Sequence, residues 1–182
     1  VVAVDLEVGR CEQVGDVAGY VLPLGVGVGE TGALHGLPIG IKDIIDTADY
    51  ATERGTVLHA GRKPATDATL VSLLKEAGAI ILGKTVTTEM AVFSPGKTRN
   101  PHNPEHTPGG SSSGSAAAVS AAMLALSVGT QTNGSIIRPA SYCGVYGFKP
   151  SFARISRHGV LQQSPPLDTV GVFSRSLEDL AL

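Results

Sequence analysis

Residues 67–82 constrain the fold most, because a stretch with helical periodicity runs straight into one with none. Leu70, Leu73, Leu74 and Ala77 recur at spacings of three and four, which places them on one helical face. Asp67 is the expected cap of that helix and Gly78 its stop. Ala79 to Leu82 follows as an unbroken apolar run, the pattern of a buried strand. Upstream, Leu37-Pro38-Ile39-Gly40-Ile41 reads the same way and ends in Lys42-Asp43. Helix and buried strand in alternation predict an α/β layered domain.

Length and composition fit that reading. With 182 residues, 42% hydrophobic and 16% charged, the chain suits one domain with a sizeable core. A formal charge of −2 carries neither a nucleic-acid footprint nor a bias toward membrane surfaces. Four Phe, four Tyr and no Trp leave few platforms for stacking bases or sugars. Cys11 and Cys143 stand far apart in no CxxC pattern, which argues against a disulfide framework or a zinc site. A cytoplasmic location is the expectation. No basic stretch leads into an apolar run at the N-terminus. The longest apolar run, Ala116 to Val128, is interrupted by Ser120 and Ser127 and is too short for a bilayer. The expected protein is soluble, without a membrane partner.

Two units are expected, a poorly readable segment 1–33 and a domain 34–182. In the first, Gly25, Gly27 and Gly29 alternate with Val26 and Val28, but no helix signal follows to make a dinucleotide site. Pro95 to Gly110 reads as a loop, and Ala116 to Leu126 as a tightly packed helix. After Gly144, short apolar stretches alternate with Gly, Pro and Ser, and strand does not separate from loop.

Four chemistries compete for the dense region between Gly109 and Pro150. A P-loop needs Gly-Lys-[Ser/Thr], whereas Ser115 follows Gly114. An α/β-hydrolase elbow would centre on Ser112, but no Asp or Glu lies between Glu105 and Asp168, and no His follows His158. His102 and His106 are four apart, yet Pro101 and Pro104 keep them from having to share a helical face, so no metal site is expected. A serine activated by lysine uses the remaining features. Gly129 to Ser135 is a small-residue turn whose amides can converge on a negative charge. Lys42 sits on an apolar segment where burial would lower its pKa toward that of a general base.

These segments carry a resemblance. Gly109-Gly110-Ser111-Ser112-Ser113-Gly114-Ser115-Ala116-Ala117-Ala118, Gly129-Thr130-Gln131-Thr132-Asn133-Gly134-Ser135-Ile136 and Cys143-Gly144-Val145-Tyr146-Gly147-Phe148-Lys149-Pro150 closely resemble the amidase signature. His35 to Asp43 looks like that family's lysine segment. Thr98 to Pro101 and Glu105 to Pro108 look like its approach to the serine-rich loop.

The resemblance implies a central mixed β-sheet covered by helices, here its N-terminal portion. It implies Lys42 as base, Ser111 as bridging serine after a cis peptide at Gly110–Ser111, and Ser135 as acyl-forming nucleophile. Oxyanion donors would fall around Thr132, Asn133, Gly134 and Ser135, with Ser112, Thr130 and Arg138 buttressing the site. Asn133 departs from the glycine many relatives carry. Asp168, Thr169 and Gly171 also look family-like and read as structural. The implied activity is hydrolysis of a small-molecule amide, with a possible esterase side activity and no metal or organic cofactor. Two other readings stand beside it: an amidotransferase component of the tRNA-dependent type, which needs partner chains, and a truncated, non-catalytic relative. A shortened sheet would expose apolar surface, so a homo-oligomer is a further expectation.

Overall fold

A computed structural model describes residues 32–182, which form one five-stranded mixed sheet with helices on both faces. The strands are β1 (Pro38–Lys42), β2 (Ile80–Thr85), β3 (Leu126–Gln131), β4 (Tyr146–Phe148) and β5 (Thr169–Ser174), in spatial order β2-β1-β3-β5-β4. β1 runs parallel to β2 and β3, while β5 is antiparallel to both β3 and β4. Among the described residues four α-helices accompany them: α1 (Thr69–Glu76), α2 (Ser113–Ser120), α3 (Ile137–Cys143) and α4 (Leu177–Leu180). The alternating glycines Gly25, Gly27 and Gly29 and the expected segment 1–33 lie almost entirely outside the described residues.

Strand periodicity divides the core. Along β5, Val170 and Val172 join Ile39, Ile41, Leu70, Val71 and Ile81 in the cluster that contains α1. Phe173 turns to the opposite face and packs with Ala116, Ala117 and Val119 of α2, with Ala140 of α3 and with Ile136 just before α3. Cys143 belongs to this second cluster as a buried apolar group, its thiol pushed up to about 12 by burial.

Several expectations need correction. Asp67 is not the cap of α1; Ala68 holds that position and offers no side-chain bond. The Asp67 carboxylate instead accepts from Ala48 N at 2.7 Å and Lys75 Nζ at 2.7 Å, tying the helix to the loop after β1. Leu73 leaves the expected stripe and is 56% exposed, with Val71 buried in its place. The second strand runs on through Gly83 and Lys84 to Thr85.

The helix expected over 116–126 spans Ser113–Ser120, and Leu126 already belongs to β3. Its residues are buried through Val119, so size rather than helix propensity selects them. A Cβ on Gly114 would lie 2.3 Å from Val86 N. Residues 144–182, where pattern does not separate strand from loop, contain β4, β5 and α4. Among the described residues no helix is long and apolar enough to cross a membrane.

Candidate active site

The parallel strands place their carboxyl ends together, and the candidate residues gather there. Lys42 is the last residue of β1, and Thr130 lies on the adjacent β3. Ser111 and Ser112 immediately precede α2, and Ser135 lies in the turn from β3 to α3. The Gly110–Ser111 peptide is cis, as the resemblance implied.

Lys42 has no exposed surface, and its Nζ donates to Ser111 Oγ and Thr130 Oγ1, each at 2.8 Å. Burial strips the ammonium of water and lowers its pKa to about 7, partly opposed by the charge of Asp168. Asp168 does not touch the amine. Its carboxylate accepts from the Thr132 hydroxyl and from Gln163 N and Ser164 N, so it holds the loops beside the site while setting their charge.

Ser112 fastens the serine-rich loop to β3. Its Oγ donates to Thr130 O at 3.1 Å and accepts from Thr130 N at 3.3 Å. Ser112 N donates to Ser135 O at 3.3 Å, which joins the two serine segments through backbone. The Ser135 hydroxyl itself makes no hydrogen bond among the described residues; of the three expected catalytic groups, Lys42 and Ser111 are in direct contact. Arg138 spans the same gap, donating to Gly110 O at 3.2 Å and Asn133 O at 3.0 Å. Gly134 adopts φ +83, and a Cβ there would sit 2.8 Å from Arg138 Nη2. No described residue accepts from the amides of Asn133, Gly134 or Ser135, so three consecutive donors remain open at the turn.

Two further groups at the site were given no role by the sequence. Lys84, 3% exposed at the neighbouring end of β2, donates to Ile45 O at 2.7 Å and Thr52 Oγ1 at 2.6 Å. It also lies 3.5 Å from Asp43, and burial lowers its pKa to about 8. It therefore braces the chain just beyond Lys42. The other is Gln131, whose side chain caps the start of α3 from within a small-residue run. His102 and His106 do not converge: His102 Nε2 lies 2.9 Å from Cys143 O, and His106 is exposed.

A family model described as Amidase matches residues 26–182. The chain belongs to the amidase signature family. It is 45% identical over 160 residues to a glutamyl-tRNA(Gln) amidotransferase subunit from Desulforapulum autotrophicum, covering 85% of this chain and 33% of that protein. The corresponding chloroplastic/mitochondrial protein from Zea mays is 46% identical over 158 residues, covering 82% of this chain and 29% of the relative. Among solved structures, an amidase family protein from Bacillus anthracis superposes with a TM-score of 0.81 at 38% identity, covering 85% of this chain and 33% of that one. The peptide amidase from Stenotrophomonas maltophilia gives 0.79 at 42% identity, covering 83% and 33%. This amidase-family chain thus spans about a third of the relatives it matches, and it corresponds to an N-terminal portion of their mixed α/β fold.

Proposed function

We propose that this chain carries the nucleophile, relay and base of a serine amide hydrolase that cleaves a carboxylic C–N bond through an acyl-enzyme. The observation that supports it best is the buried Lys42 amine, poised near pKa 7 and 2.8 Å from Ser111 Oγ. In its neutral form the amine keeps a donor for Thr130 and turns its lone pair to the Ser111 proton. Ser111 then takes the proton of Ser135 as Ser135 Oγ attacks the carbonyl carbon. The open amides of Asn133, Gly134 and Ser135 stabilise the resulting oxyanion, with Thr132 at the edge of that turn. The relay returns the proton to the departing amine, and water, deprotonated along the same route, releases the acid.

Ammonia release from a panel of small amides tests this reading, with hydroxylamine added to trap the acyl group as a hydroxamate. Hydroxamate formed by the wild type and lost in Ser135→Ala supports the acyl-enzyme. Ammonia without hydroxamate at any nucleophile concentration counts against it.

The relatives named as glutamyl-tRNA(Gln) amidotransferase subunits favour a second reading, in which ammonia passes to a misacylated tRNA. Glutaminase activity that appears only with partner chains would select it.

A further inference from the structure

Gln131 is the last residue of β3, and its side-chain oxygen accepts two backbone hydrogen bonds, from Ile136 N at 2.9 Å and Ile137 N at 3.0 Å. Both partners are N–H donors, which fixes the amide oxygen toward them. The bonds close the segment 132–136 into a loop whose ends are β3 and the first turn of α3. Ser135 lies inside that loop, directly before the two captured amides.

The distribution of donors along the loop is uneven. Asn133, Gly134 and Ser135 have open amides among the described residues, while those of Ile136 and Ile137 are both taken by one oxygen. Ile136 is fully buried, so its amide needs a protein partner. Arg138 grips the loop from the other side through Asn133 O. Without the Gln131 oxygen, the amides of Ile136 and Ile137 would have to find new acceptors, and the backbone carrying Ser135 would turn with them.

We infer that Gln131 is a positioning residue for the Ser135 nucleophile: its side-chain oxygen consumes the two amides after Ser135 and leaves those of Asn133, Gly134 and Ser135 presented as the oxyanion donors. This role rests on the acyl-enzyme mechanism proposed for the site. The residue acts through the loop and touches no reacting atom.

Gln131→Met keeps the length of the side chain and removes the acceptor, whereas Gln131→Glu keeps an acceptor. Each is compared with the wild-type 182-residue chain by hydrogen exchange of the peptide spanning the loop, and by the rate and saturation of fluorophosphonate labelling. The inference expects Gln131→Met to raise exchange in the loop peptide, with the rest of the sheet unchanged. It expects the limiting labelling rate to fall about tenfold, as two lost hydrogen bonds allow, with little change in half-saturation. Gln131→Glu is expected to restore loop protection and most of the rate. A wild-type limiting rate in Gln131→Met overturns the positioning role, whatever the exchange. Unchanged exchange overturns the loop closure. A wild type that is never labelled overturns the acyl-enzyme reading and the positioning role with it, so the two failures are distinct.

Discussion

Lys42 Nζ lies 2.8 Å from Thr130 Oγ1, so the buried amine at the end of β1 is tied to β3 as well as to Ser111. The protonated amine needs both hydroxyls as acceptors, while the neutral amine needs fewer. Labelling of Ser135 should therefore rise with pH through about 7 and level off above it. Thr130→Val removes an acceptor that favours the charged form. Its rising limb should move to lower pH and its plateau fall about tenfold. A limb displaced to higher pH would contradict this placement of the amine.

The same burial couples Lys42 to folding. Its folded pKa of about 7 lies below the ordinary 10.5 of an unfolded lysine. Between those values the unfolded chain holds a proton that the folded chain lacks, so stability rises with pH across this window. Below about 7 both states are protonated and the dependence vanishes. Urea melts of wild type and Lys42→Met across this range should show the wild type gaining on the variant as pH rises. Parallel curves would mean that the amine is solvated.

Gly129 is where β3 passes Ser112. A Cβ there would meet Phe173 Cε2 at 2.7 Å and Ser112 Oγ at 2.8 Å. Both contacts are packed, so Gly129→Ala should cost about 1–3 kcal/mol by overpacking. It should also displace Ser112 from Thr130, lowering labelling more than the melt alone explains. Wild-type stability and labelling would show that the strand has room here.

Lys84 braces Asp43 and the carbonyl of Ile45 from inside the core. Lys84→Met takes the ammonium donor from the Thr52 hydroxyl and the buried Ile45 carbonyl, and leaves the Asp43 carboxylate without its cation, held only by Glu53 N and Gly55 N. The expected loss is about 3 kcal/mol or more, the cost of breaking one side of a buried pair. A urea midpoint within error of the wild type would refute it.

The sheet was legible wherever one residue type dictated the element. β1, α1 and the early part of β2 follow from apolar runs and a helical stripe. α2 was misplaced because burial on all sides favours Ser, Gly and Ala, residues whose local preferences say little about helix limits. β5 was hidden because Gly171 interrupts an apolar run of only Val170, Val172 and Phe173, although pairing with β3 along its whole length defines it. In the candidate site, Lys42 contacts the Ser111 and Thr130 hydroxyls, Ser112 bonds the Thr130 backbone, and Arg138 donates to Gly110 O beside them. What Gln131 and Lys84 do was not legible, since each acts on backbone groups brought near only by the turn or the strand pairing.

The central claim is that the short chain assembles a Ser135 nucleophile activated through Ser111 by Lys42. Peptide mass spectrometry after treatment with a fluorophosphonate tests it most directly. The account predicts one adduct, on Ser135, absent in Ser111→Ala and in Lys42→Ala chains that melt cooperatively. An adduct on another serine, one that persists in Lys42→Ala, or none on a folded wild type would contradict it.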